Sequence, residues 1–261
     1  MNEYVLGYGY SFVYIFIAVI GACIGSFLNV VISRLPEKGS FMSDSRSHCP
    51  ACGKTIRWYD LFPVVSWLIL LGRCRDCKAH ISLRYPLVET LGALFALACL
   101  WVFGLTLPAL MVFAVIMILL AIALIDLNTT EIPDSLIIAL TPLAVASIWL
   151  LPGVTFLSHA IGLAAVALPM LLLTLAIPGA FGGGDIKLMA VCGFILGWQL
   201  TLLAFFIALL IGGSIAVFLL ASGKRKRGQH MVFGPAICAG TVTALFFGKE
   251  ILDWYLQMYF I

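Results

Sequence analysis

Charge is scarce in this sequence. Of its 261 residues, 15 are Lys or Arg and 12 are Asp or Glu, so 10% are charged while 63% are hydrophobic, and the mean hydropathy is +1.13. A soluble domain runs at about 25% charged and about half apolar, which excludes one here. The same figures exclude a disordered chain, a collagen and a small disulfide scaffold. Other absences narrow the reading further. Residues 1–9 hold no Lys or Arg and no small-residue cleavage site follows a short apolar core, so the first hydrophobic stretch reads as an anchor rather than a cleaved signal peptide. Tandem repeats, low-complexity tracts and long flexible linkers are missing, and no nucleic-acid partner is expected. The chain reads as an all-α polytopic membrane protein embedded in a lipid bilayer.

The gaps between charges give the helix count. Glu3 to Arg34 encloses 30 uncharged residues, and Glu89 to Asp126 encloses 36, interrupted at Gly104 and Pro108. Asp134 to Asp185 encloses 50, broken at Leu151-Pro152-Gly153; Lys187 to Lys224 encloses 36, broken at Gly197; Arg227 to Lys249 encloses 21. A spanning helix needs about 20 apolar residues, so the gaps hold one, two, two, two and one helices, about eight in all. Nine of the 15 basic residues lie between Arg34 and Arg84, and four more form Lys224 to Arg227. Basic clusters mark the cytoplasmic side. Two same-side clusters require an even number of crossings between them, and six satisfies this. The N-terminus is then outside and the loop after the first helix inside.

That loop, residues 33–86, is the only polar stretch of domain length. It carries Cys49-Pro-Ala-Cys52 and Cys74-Arg-Asp-Cys77. Two such pairs supply four thiolates able to close tetrahedrally around Zn2+, at a spacing slightly wider than the usual ribbon. Structural disulfides are disfavoured on the reducing side, and a short loop poor in apolar residues needs a staple to fold. His48 and His80 flank the pairs and read as solvated rather than ligating. Leu61 to Gly72 is an uncharged run too short to span, expected to pack on the membrane face or the zinc-site core. Cys23, Cys99, Cys192 and Cys238, scattered singly through the helices, read as small hydrophobes with no assigned function.

Two acids come out at one depth. Asp126 closes the third helix on the cytoplasmic side, and Asp185 opens the sixth after Phe181-Gly-Gly-Gly. Ionisable residues at the bilayer are functional candidates. An N-cap alone would account for Asp185. Capping cannot account for Asp126, because the dipole opposes a carboxylate at a helix C-terminus; a solvated loop acid would. Asp134 reads as the N-cap of the fourth helix and Glu131 as an interfacial acid. Gly182, Gly183 and Gly184 permit unusual backbone angles and close approach of a substrate strand. Irregular backbone at this depth needs a protein-lined or wet cavity. Two neighbouring carboxylates, one holding a proton while the other activates water, form the minimal apparatus of an aspartic protease.

The sequence resembles the bacterial type IV prepilin peptidases, or prepilin leader peptidase/N-methyltransferases. The resemblance rests on Gly25-Ser-Phe-Leu-Asn-Val-Val-Ile-Ser-Arg-Leu-Pro36, the two Cys pairs and Ile81-Ser-Leu-Arg-Tyr-Pro-Leu-Val-Glu89. It continues in Ile125-Asp-Leu-Asn-Thr-Thr-Glu-Ile-Pro-Asp134, Gly182-Gly-Gly-Asp-Ile-Lys187 and Phe233-Gly-Pro-Ala236. The G-x-G-D element is similar to that of presenilin-like proteases. The resemblance implies that Asp126 and Asp185 are the catalytic pair of an inner-membrane enzyme. Such an enzyme cuts the basic leader of prepilins and pseudopilins, proteins of the type IV pilus and type II secretion, usually after a glycine. It also implies N-methylation of the new first residue, commonly phenylalanine, from S-adenosylmethionine. No G-x-G-x-x-G marks a cofactor site in the loop, so no residue is assigned to the methyl donor. Glu89, Glu131 and Asp134 lie at the same boundary, where they would attract the leader's positive charges.

The expected organisation is a first helix over 1–32, a zinc-binding, methylation-associated domain over 33–86, and a helix bundle with the protease site over 87–261. The competing reading is a proton-coupled transporter whose boundary aspartates relay protons. It leaves the four cysteines and the glycine loop unexplained, and a non-enzymatic zinc-stapled assembly factor leaves Asp126 unexplained.

Overall fold

The computed structural model describes residues 2–36, 46–151, 153–222 and 232–260; the basic run Lys224 to Arg227 and the helix-breaking Pro152 lie outside them. Among the described residues the chain is helical, with two isolated β-bridges and no strand. It divides into two compact units, Met1–Leu105 and Thr106–Ile261.

The first unit is a long helix α1 (Asn2–Arg34), a loop, and α3 (Arg84–Phe103) packed along α1. The loop holds a 3-10 turn (Trp58–Leu61) and the short α2 (Val65–Ile69). The two long helices touch backbone to backbone, because a Cβ on Gly21 would sit 2.7 Å from the Ala96 side chain and one on Gly25 would lie 2.9 Å from the Glu89 backbone. Small residues that allow such approach are how helices associate in lipid, where no hydrophobic drive separates them from the solvent.

The second unit contains α4 (Leu107–Thr129), α5 (Asp134–Leu150), α6 (Phe156–Ala165), α7 (Ala167–Ala176), α8 (Gly183–Leu196), α9 (Trp198–Ala221) and α10 (Gly234–Phe260). Its core is α4, with 61% of its most apolar stretch buried, against 17% for α9. Helix α10 packs on α4, α8 and α9, so one helix touches both those that carry the candidate aspartates. The breaks fall where the sequence places them: α3 stops before Gly104 (φ +69) and α8 before Gly197 (φ +76), left-handed positions that suit glycine. One break was not foreseen. The fifth expected helix is two helices, α6 and α7, split at Val166 (φ −113, ψ −39). Pro169 cannot donate to the Ala165 carbonyl and its ring crowds that group, which accounts for the split.

Among the described residues six helices are long and apolar enough to cross a membrane: Ser11–Arg34, Arg84–Phe103, Leu107–Thr129, Phe156–Ala176, Trp198–Leu219 and Gly234–Met258. The other two expected spans are shorter, with 17 residues in α5 and 14 in α8. At 1.5 Å per residue α8 measures only about 21 Å against a hydrocarbon core of about 30 Å. A multi-pass membrane protein is established, and length alone does not carry the count of eight.

Helix α4 also runs past its expected end at Asp126, to Thr129. Asn128 Nδ2 donates to the Leu124 carbonyl (2.6 Å) and Thr129 Oγ1 to that of Ile125 (2.9 Å), so polar side chains of the last turn fold back onto the helix's own carbonyls. Thr130 then turns left-handed (φ +57) and donates its N–H to Asp126 O.

Candidate active site and metal centre

Asp126 and Asp185 are both buried, 4% and 8% exposed. Asp126 lies in the last turn of α4, where its own helix dipole opposes a negative charge. The compensation comes from elsewhere: Oδ2 accepts the backbone N–H of Gly234, the first residue of α10, at 3.1 Å. The open N-terminus of α10, with its orphan donors and positive dipole end, points at this carboxylate. Pro235 fits the next position because it has no N–H to leave unpaired. Asp185 sits in the first turn of α8, and its Oδ2 accepts the Gly182 N–H at 3.3 Å. Asp185 is not the N-cap the sequence allowed: Gly182 is, and Asp185, at the third helical position, reaches back to the Gly182 N–H. Both carboxylates therefore rest on helix N-termini. They are near enough for the charge of one to be felt by the other, and Cys238 on α10 lies within electrostatic reach of both.

The glycines act by their lack of bulk rather than by unusual angles. Gly182 is extended (φ −71, ψ 145), Gly183 and Gly184 already belong to α8, and none of the three has a positive φ. A Cβ on Gly184 would meet Ile132 Cβ at 2.9 Å, whereas one on Gly183 would meet nothing within 4 Å. A Cβ on Gly234 would fall 2.5 Å from Asp126 Oδ2 and 3.2 Å from Ile132 Cδ1. Ile132 thus abuts both glycine positions. The rings of Phe181 and Phe233, which precede the two helix starts, lie 5.7 Å apart. Gly234, Ile132, Phe181 and Phe233 are what the sequence reading missed as site parts. Asp134 is not the N-cap of α5: Pro133 is, and Asp134 pairs instead with Lys187 of α8 (2.8 Å) on the exposed surface. Glu131 is exposed as well.

The four loop cysteines come together, with all four Sγ atoms within 4.8 Å of one another. Cys49 Sγ and Cys77 Sγ are 3.8 Å apart, and a tetrahedral site with metal–sulfur bonds of about 2.3 Å has edges of about 3.8 Å. The two pairs are built alike. Cys49 N–H donates to Lys54 O and Cys74 N–H to Ala79 O, while Gly53 N–H returns to Cys49 O and Lys78 N–H to Cys74 O. Gly53 (φ +68) and Lys78 (φ +59) both turn left-handed just after the second cysteine. His48 and His80 form the flanking bridges, are exposed, and lie outside the sulfur group. Backbone amides of Cys52 and Ala51 bring the Cys49 thiol down to about 7. The Ala79 amide pulls on Cys77 in the same sense, but burial and the other sulfurs outweigh it and push that thiol up to about 11. Cys49, Cys52, Cys74 and Cys77 would hold a cation as thiolates, whose charge it would stabilise. The donor set therefore fits a metal.

Residues 19–103 match the bacterial peptidase A24 N-terminal domain, and residues 111–217 match the type IV leader peptidase family. The chain belongs to that family. A prepilin leader peptidase/N-methyltransferase of Bacillus subtilis is 33% identical over 92% of this chain and 96% of its own length. Proteins of the same name from Legionella pneumophila (30% identical, 98% of each chain) and Burkholderia pseudomallei (34%, covering 89% and 85%) are similar from end to end. No solved structure matches.

Proposed function

We propose that this protein removes the short basic leader of type IV prepilins and pseudopilins and N-methylates the residue exposed by the cut. The observation that carries the reading is the end-to-end likeness to relatives bearing both activities in their name, with both family segments present in order. The transporter alternative finds no support among those relatives.

Asp126 and Asp185 are the catalytic pair in this reading. One carboxyl protonates the departing amine while the other takes a proton from the attacking water, and an amide can do neither. Burial of both, their mutual influence and the helix N-termini behind them support it. Gly182, Gly183 and Gly184 line the way for the substrate strand. Cys49, Cys52, Cys74 and Cys77 hold a structural Zn2+, which soft thiolate donors and tetrahedral edges favour. S-adenosylmethionine supplies the methyl group, and the loop is the part associated with methylation.

The proposed setting is the bacterial inner membrane, with the N-terminus outside and the cysteine loop cytoplasmic. The crossings are α1, α3, α4, α5, the α6–α7 pair, α8, α9 and α10. A short α8 suits this count if its glycine-rich start already lies within the lipid depth, where non-helical backbone survives only beside protein or water. Incubating the purified protein in detergent with a prepilin and S-adenosylmethionine, then sequencing the product by mass spectrometry, tests the proposal. A product with its leader removed and its first residue methylated is expected; intact prepilin would sink it.

A further inference from the structure

We propose that Glu89 is a positioning residue for methylation, fastening the loop's apolar run to the α1–α3 pair through the backbone of Val64. The inference rests on the reading above that the cysteine loop serves methylation.

Glu89 lies in the second turn of α3, against α1 where Gly25 leaves no room for a side chain. It is 7% exposed, and among the described residues no Lys, Arg or His pairs with it. A buried carboxylate without a cation is held only if hydrogen bonds satisfy it. The hydrogen bond comes from the loop: Val64 N–H donates to Oε2 at 2.7 Å. One turn nearer the loop, Asn29 Nδ2 donates to the Tyr85 carbonyl at 3.2 Å, which sets the register of the two helices.

Val64 is the strained partner. Its φ and ψ are 61° and −50°, and Val65 N–H closes a three-residue turn onto Pro63 O at 2.6 Å. That is the rare, positive-φ form of the γ-turn, and a β-branched residue in it is a genuine outlier. Such conformations persist only when the surroundings over-determine them. Hydrophobic burial within the loop is too slight to do so here, since most large side chains of the run stay exposed, Ile69 by 70% and Leu71 by 82%, and Trp67 and Leu70 are only half-buried. They do not fill a core around the four cysteines. The other end of the run is tied to the second cysteine pair: Ile81 N–H donates to Gly72 O (2.7 Å) and Trp67 Nε1 to Ile81 O (3.2 Å). The run is therefore a strap with one end at the metal knuckle and the other at Glu89. Leucine at 89 frees the second end while the knuckle stays folded.

The test compares E89L, E89Q and the double variant E89L/V64G in detergent. Four readouts are taken: zinc content, leader cleavage, methylation of a pre-cleaved prepilin peptide with S-adenosylmethionine, and hydrogen–deuterium exchange over residues 61–72. E89L should keep its metal, exchange faster over 61–72, and lose methylation kcat on the order of 10²-fold, the scale of an ångström-sized misplacement, and more completely than it loses cleavage. E89Q still offers a carbonyl acceptor and should recover most of the activity. V64G should restore part of the loss in the leucine background, because glycine adopts this φ without strain. Unchanged exchange in E89L overturns the strap whatever happens to methylation. A glutamine variant as damaged as the leucine one also overturns it, since charge rather than hydrogen-bond acceptance would then be at work. Methylation surviving in C49S/C52S/C74S/C77S would instead remove the loop's role in methylation, and the exchange result would stand apart from it.

Discussion

The aspartates and the cysteines are both held by backbone amides, yet the surroundings of the two sets differ in kind. In Thr106–Ile261 the amides belong to the ends of long helices buried against one another, so each carboxylate is fixed by the packing of α4, α8 and α10. In Met1–Leu105 the cysteines hang on two tight turns, in a loop whose largest apolar side chains face outward. Helix packing needs no ligand. A loop with little core of its own needs a metal, because the binding energy of a closed site is its folding energy. The lesson is that one unit should respond to the chemistry of its side chains and the other to the loss of the thiols that would hold a metal.

The largest expected effect lies at the carboxylates. D126N and D185N should each lower cleavage by on the order of 10³-fold or more while methylation of a pre-cleaved peptide continues; paired assays on one preparation check this. Residual cleavage near wild type in either variant removes that residue from the pair. Next comes the metal. C49S/C52S/C74S/C77S should fall from about one zinc per chain to none and lose methylation more completely than cleavage, by elemental analysis and the same two assays. Equal loss of both activities would merge the two units into one cooperative whole. Steric changes follow. G184V, which drives a branched side chain onto Ile132, and G234A, which puts a methyl group against Asp126 Oδ2, should each cost cleavage about 10²-fold and leave zinc content unchanged. The smallest effect belongs to the exposed Lys187–Asp134 pair: K187M should shift stability by no more than about 1 kcal/mol, measured by thermal unfolding in detergent.

Much of this was legible in the sequence for simple reasons. Apolar runs between charges must be helices in lipid, because only internal hydrogen bonding satisfies their backbone there. Gly104 and Gly197 end helices where the sequence says, and the spacing of Cys49, Cys52, Cys74 and Cys77 anticipates their convergence. What escaped depends on tertiary partners. Hydropathy gives the depth of a residue but not its neighbour, so the approach of Gly234 to Asp126, 108 residues away, leaves no trace in any local pattern. The extension of α4 to Thr129 and the split at Val166 depend on single side-chain bonds and one proline, below the resolution of a hydrophobicity count. Of the two properties the glycine run offered, torsional freedom is not used at Gly184, which instead provides space beside Ile132.

Because Asp126 and Asp185 take hydrogen bonds from the main-chain N–H of Gly234 and Gly182, no side-chain substitution other than proline can delete those donors. Truncation scanning, which works by taking atoms away, is blind to such a site: the only atoms to trim are the carboxylates themselves. Injury has to come from added bulk at positions that now have none. A library biased toward insertion and enlargement around residues 182–184 and 234 would outline this centre, where an alanine scan of its polar neighbours would return a nearly silent map.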